Sequence, residues 1–204
     1  HAHPANGLLF VLDKVTGTVR WSYDPESVVD SNAIAVEGEQ LFLIDGLAAV
    51  NMFTLPRKGQ KAKSKPLFSI AGAPHERVLK AFDLKTGEER WRTLEITPRQ
   101  NSLYAANGVL LASVPLWHGL RATREGPTFA AFSTGDGKLL WKRSPRSVFP
   151  VIVGNTVYMP QACDLRTGEP IMRGDPLTGD MIAGTASLPG GCGRPAGSVN
   201  LMME

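Results

Sequence analysis

An eleven-residue pattern recurs along this chain and limits its possible folds more than any other feature. VLDKVTGTVRW occupies residues 11–21, AFDLKTGEERW 81–91 and AFSTGDGKLLW 131–141. Asp13, Gly17 and Trp21 stand at the spacing of Asp83, Gly87 and Trp91, and Ser133, Gly137 and Trp141 repeat it with serine in place of the acid. A fourth copy, ACDLRTGEPIM, keeps Asp164 and Gly168 but has Met172 at the tryptophan position. Self-similarity of this kind marks a fold of repeated units, each burying its apolar face against the next.

The pattern is turn chemistry. In D-x-x-T-G the aspartate accepts backbone N–H groups at the start of a turn, and the threonine hydroxyl does so more weakly. The glycine supplies the positive φ that closes the turn in a bulge. Asp13, Asp83 and Asp164 are therefore turn formers rather than catalytic acids. A second motif follows each of the first three copies: VEGEQLF, AANGVLL and IVGNTVY set Gly38, Gly108 and Gly154 between apolar runs, 17, 17 and 13 residues after the preceding tryptophan. Such Gly-containing dipeptides between strand-like runs read as hairpins. Each repeat thus reads as four strands, and the chain as all-β.

Tryptophan spacings of 70 and 50 residues exceed the roughly 40–45 residues of a four-stranded propeller blade. The excess falls in about residues 46–77 and 115–127, which the pattern places between the third and fourth strands of a repeat. Insertions at one place in successive repeats are expected to emerge on one face.

With D-x-x-T-G-x-x-x-W repeated over about residues 8–172, the chain resembles the pyrroloquinoline-quinone-like β-propeller repeats. That superfamily includes quinoprotein alcohol dehydrogenases, the outer-membrane assembly propeller lipoprotein and many exported bacterial repeat proteins. The resemblance implies a β-propeller of four-stranded antiparallel blades, forming one domain over residues 1–204. About four blades are expected, an incomplete propeller cut from a longer protein, with a divergent end over 173–204. It also implies a periplasmic or otherwise extracytoplasmic location, and gives Trp21, Trp91 and Trp141 the role of docking adjacent blades. In the dehydrogenases the quinone lies beside a disulfide of adjacent cysteines, over calcium or a lanthanide. Cys163 and Cys192 are the only cysteines here, and no C-x-x-C-H haem motif is present. No cofactor is expected in this chain, and the quinone is not supported by the sequence.

The formal charge of +3 comes from one segment, PRKGQKAKSKP at 56–66, which holds five basic residues and no acid. Without it the balance is −2. Like charges beside prolines form a solvated loop, and nothing here supplies the basic stripe or docking motif that nucleic-acid binding needs. No apolar run reaches the roughly 18 residues of a membrane span. Cys163 and Cys192 could form a disulfide near the divergent end or remain two separate thiols, a choice that spacing does not make. His1-Ala2-His3 could bind copper or nickel at a free amino terminus, but a segment boundary explains it better, and no metal site is expected.

One constellation has a bearing on function. Ser31, Asn101 and Ser147 each lie seven residues before a hairpin glycine, ahead of the runs read as innermost strands. In a radial array such positions converge at one mouth of the central channel. They are ligand-binding candidates, suited to a neutral polar molecule; the plainer alternative is that they form turns before a strand. The leading expectation is a non-catalytic binding or scaffold module with a protein or neutral polar small-molecule partner. The alternatives are a piece of a quinone-dependent alcohol or sugar dehydrogenase and an outer-membrane protein assembly scaffold.

Overall fold

A computed structural model of the protein describes residues 5–6, 8–26, 29–46, 77–96, 100, 102–113, 129–144, 150–159, 161–175 and 177–184. All its regular elements are strands. The first are β1 (Ala5–Asn6), β2 (Leu9–Leu12) and β3 (Val19–Tyr23). They are followed by β4 (Val29–Glu37), β5 (Gln40–Asp45), β6 (Val78–Asp83) and β7 (Glu89–Thr93). Then come β8 (Ser102–Ala106), β9 (Val109–Ser113), β10 (Phe129–Ser133) and β11 (Leu139–Arg143). The last are β12 (Val151–Val153), β13 (Thr156–Met159), β14 (Gln161–Asp164), β15 (Met172–Gly174) and β16 (Met181–Ala183).

The strands pair antiparallel in chain order. A β2–β3 hairpin forms part of blade one, β4 to β7 form blade two, β8 to β11 blade three, and β12 to β14 blade four. Cys163 bridges Pro170 where a fourth strand of blade four begins. Blade boundaries thus fall between each tryptophan strand and the next hairpin. Both long intervals, β5 to β6 and β9 to β10, accordingly join the second and third strands of a blade, not the third and fourth. The pattern alone fixes the repeat's period but not which strand begins a sheet. β1 adds an edge strand beside β4, pairing Ala5 with Asp30.

The signature turns fold alike. Asp13 Oδ1 accepts the N–H groups of Val15 and Thr16 at 2.9 and 3.0 Å, and Asp83 and Asp164 do the same in their copies. The N–H of Gly17, Gly87, Gly137 and Gly168 donates back to the residue that opens each turn. The β2–β3, β6–β7 and β10–β11 pairings each slip just before the turn, at Val11/Leu12, Ala81/Phe82 and Ala131/Phe132. A fifth turn of the same kind, Asp175 to Gly179, joins β15 to β16. Its D-P-L-T-G is visible in the sequence but comes too soon after Asp164 for another blade. Gly184 accepts from Ala162 N and donates to Ile171 O, so this hairpin grows out of the outermost strand of blade four.

Each tryptophan reaches across to the next blade's turn. Trp21 Nε1 donates to Leu84 O at 3.0 Å, Trp91 Nε1 to Thr134 O at 2.8 Å, and Trp141 Nε1 to Leu165 O at 3.0 Å. The rings lie on the turn glycines. A Cβ at Gly87, Gly137 or Gly168 would stand 2.7, 2.5 or 2.7 Å from the indole of Trp21, Trp91 or Trp141. Apolar side chains fill the rest of each step. Leu41, Leu43 and Phe82 meet the first hairpin, Phe42, Leu79, Leu110 and Phe132 join blades two and three, and Leu111, Phe129, Val157 and Met159 join blades three and four.

Gly17 has the same positive φ, but a Cβ added there would meet nothing within 4 Å. Gly17→Ala should therefore cost only the left-handed backbone penalty, about 1–2 kcal/mol. Gly137→Ala adds displacement of the Trp91 ring, for a total above about 3 kcal/mol. Trp91→Ala itself should cost about 3–5 kcal/mol. Chemical denaturation of the three variants checks this ordering; equal losses at the two glycines would refute the docking role of the indole.

Candidate functional site

The residues with the most concentrated polar chemistry lie where blade one meets blade two. Lys80 interrupts the apolar strand β6, and its side chain is 2 % exposed. Its ammonium donates to Glu26 Oε1 at 2.7 Å and to Tyr23 OH at 2.8 Å, and stands 3.7 Å from Asp45 Oδ2. Asp45, at the end of β5 and itself buried, accepts the Tyr23 hydroxyl at 2.6 Å and the Glu26 N–H at 2.8 Å. Tyr23 also stacks at an angle on Phe82, ring centroids 4.9 Å apart. The alternation of β3 aims Trp21 and Tyr23 at blade two, one ring onto the turn and the other into this cluster.

These contacts set the charge states. Burial raises the Tyr23 phenol, the hydrogen bond to Asp45 adds to it, and the pKa is pushed up to about 12. Burial alone would lower Lys80, but the Glu26 and Tyr23 hydrogen bonds outweigh it, and its pKa is raised. Lys80 holds the Glu26 carboxyl below the ordinary range. A lysine kept protonated in this way is no nucleophile or base. The cluster ties a hairpin to a sheet.

Further polar groups gather at the same strand ends. Arg77 donates from Nε to Gly46 O at 3.1 Å and from Nη2 to Gln100 O at 2.6 Å. Gln100, Ser102 and Ser113 are buried, and Ser113 Oγ makes no hydrogen bond among the described residues. Ser31 lies inside β4 instead of ahead of it. Pairing runs from Val29↔Asp45 to Ile34↔Leu43, so Asp30 to Ala33 bulge opposite Ile44 alone. The sequence offset assumes a regular strand, and the bulge lengthens β4. The side chain of Ser31, and Asn101, Ser147 and Cys192 altogether, lie outside the described residues. So do His1, His3 and the basic segment 56–66. Cys163 is buried on β14, its thiol is free, and burial raises its pKa. Among the described residues no cluster of three metal-ligating side chains forms, and no helix is long and apolar enough to cross a membrane.

Sequence reading misses Lys80, Asp45, Tyr23 and Glu26. The available signal is a single lysine inside the apolar run VLKAFD, where the other copies carry Phe10, Ala130 and Gln161.

No family model matches the sequence, and no curated protein does. Among solved structures, BamB from Moraxella catarrhalis superposes with a TM-score of 0.51 at 14% identity, covering 81% of this chain and 42% of that one. The chain has the β-propeller fold of that neighbour. The chain spans less than half the length of that neighbour, and among the described residues the blades do not close into a ring. Quinohemoprotein alcohol dehydrogenase ADHIIG from Pseudomonas putida HK5 aligns at 15% identity and a TM-score of 0.46, covering 88% of this chain and 35% of its own. A europium-containing methanol dehydrogenase aligns at 15% identity and 0.40, covering 79% and 26%.

The cluster gives the propeller a defined alkaline response. Tyr23 binds its proton more tightly folded than unfolded, so its contribution is complete below about pH 10 and is lost as pH rises toward about 12. Thermal melts should fall more steeply over that window in the native chain than in Tyr23→Phe. Lys80→Met, which removes the ammonium that Asp45 and Glu26 face, should cost about 3–5 kcal/mol at neutral pH. Asp45→Asn in the same chain should return part of that loss.

Proposed function

We propose that this propeller is a non-catalytic binding or scaffold module of an exported bacterial protein, and that it engages a protein partner through the face bearing its two long intervals. One observation carries the reading. Residues 47–76 connect the end of β5 to β6, and residues 114–128 connect β9 to β10. Both join the second and third strands of consecutive blades, so two long segments are anchored at one face, as binding loops are on rigid scaffolds. The charged side chains of the blades themselves support the same reading. Asp13 is occupied by Arg20 and its own turn, Asp83 by Arg90 and its turn, and Lys80 by the inter-blade cluster. A neutral polar small molecule at the channel mouth, contacted by Ser31, Asn101 and Ser147, is the second partner type that fits that face.

The test is capture of partners from a periplasmic extract by the full chain and by a variant carrying Arg57→Ser, Lys58→Ser, Lys61→Ser, Lys63→Ser and Lys65→Ser. Loss of the captured protein, with unchanged circular dichroism, is expected. Capture that survives the substitution would move the binding face elsewhere. The dehydrogenase reading makes the opposite forecast: added quinone and calcium would produce dye-linked alcohol oxidation, and such activity would overturn a purely binding role. Recovery of barrel-assembly proteins among the captured partners would narrow the scaffold reading to outer-membrane assembly.

A further inference from the structure

The first long segment leaves the propeller at a point held from two sides. β5 and β6 pair as far as Asp45↔Val78, and Gly46 and Arg77 are the described residues that border 47–76. From blade one, Asp45 receives the Tyr23 hydroxyl and the Glu26 N–H. Toward blade three, Arg77 reaches out with two donors. Its Nε donates to Gly46 O at 3.1 Å and its Nη2 to Gln100 O at 2.6 Å. One guanidinium therefore closes the end of the β5–β6 ladder and grips the backbone that leads into β8.

The backbone at Gly46 is shaped for this arm. Its φ of 116° lies where glycine is favoured, and a Cβ there would stand 2.8 Å from Arg77 Cγ and 3.1 Å from its Cα. Gly46 is buried and Gln100 is fully so. Both carbonyls thus take charge-assisted hydrogen bonds away from water, where such bonds are strong. A lysine ammonium is a point charge and lacks the rigid fork that serves two acceptors at once.

The second long segment begins beside the same grip. β8 and β9 pair to Ser102↔Ser113; Gln100 stands two residues before Ser102, and Ser113 is the described residue that borders 114–128. Gln100, Ser102 and Ser113 are all buried. We infer that Arg77 is a positioning residue that locks the anchors of the two long segments into one unit, so that a protein partner meets both as a single surface. The inference rests on the binding role proposed for that face. Anchors fixed relative to each other leave less freedom to be lost when a partner docks.

Native-state amide exchange in the full chain tests the lock. Arg77→Met keeps an aliphatic stem and removes both donors. Exchange at Gly46, Gln100 and Ser113 should rise about tenfold, the scale of one lost charge-assisted hydrogen bond, with β11 and β14 unchanged and native circular dichroism. Gly46→Ala, which pushes the same arm aside, should act alike. Arg77→Lys should restore one anchor but not both. Tyr23→Phe, which loosens Asp45 from blade one, should leave Gln100 and Ser113 at native rates. A rise spread evenly through the protein, a rise at Gly46 alone, or native exchange in Arg77→Lys would overturn the inference. So would Tyr23→Phe acting on Ser113 as Arg77→Met does. Capture from the periplasmic extract is the functional readout: Arg77→Met, with its basic segment intact, should show a roughly tenfold loss of the protein that the native chain retains. Undiminished capture by Arg77→Met would sink the single surface. If the native chain captures nothing, the proposed binding role fails, and the exchange rates still decide whether Arg77 couples the anchors.

Discussion

An indole can lie flat against a peptide only where no Cβ stands between them. At Gly87, Gly137 and Gly168 the positive φ of the turn already favours glycine, and the ring lying on it removes the alternatives. The Nε1 donor then finds the carbonyl beside the turn, so a partly buried polar group is satisfied by the contact that buries its ring. Every step between blades has this form. Blades one to three each give a tryptophan forward, blades two to four each receive it on a glycine, and the apolar strand faces close around the pair. Sheet packing alone would leave the blades free to slide, whereas a ring with one hydrogen-bond partner fixes their register.

Holding the turns occupies Asp13, Asp83, Asp136, Asp164 and Asp175. Asp13 and Asp83 each hold two backbone N–H groups and an arginine seven residues on, Arg20 or Arg90, immediately before the tryptophan. The arginine beside each keeps its carboxyl well below the ordinary range, helped by the turn's N–H groups. In the third copy Ser133 replaces the acid, and Asp136 moves the charge into the turn, where Lys138 lowers its pKa to about 2. The repeat thus tolerates a change of residue when another supplies the same charge nearby. A second chain of contacts runs along the hairpin turns. Gly108 N donates to Glu37 Oε1, and Asn107 Nδ2 to Gly154 O, so consecutive blades are tied at both the outer tryptophan and the hairpin ends.

What is legible in the sequence is what local chemistry decides. The D-x-x-T-G turns, the hairpin glycines and the all-β character all rest on residues within a few positions of one another. The assignment of strands to blades is less legible, because period alone does not say where a sheet begins; a reading by period puts the insertions one strand too late for this reason. The bulge that draws Ser31 into β4 has no local signature. The Lys80 cluster is the hardest to see, since Tyr23 and Lys80 are 57 residues apart and meet only once two blades have docked. The carbonyls that receive the indoles are invisible for the same reason, although the tryptophans themselves are plain.

Near-identical repeats carry a hazard: a hairpin that fits one neighbour can fit another, and the chain can assemble in the wrong order. Lys80 bears on this. Its counterparts Phe10 and Ala130 are apolar and would accept any greasy surface, and Gln161 in the fourth copy carries no charge. A lysine in that position is stranded unless Tyr23 and Glu26 arrive together to meet it beside Asp45. Only the first hairpin brings that combination. The buried charge acts as an address, making one docking event unlike the rest and giving a repetitive chain a fixed starting point from which to count.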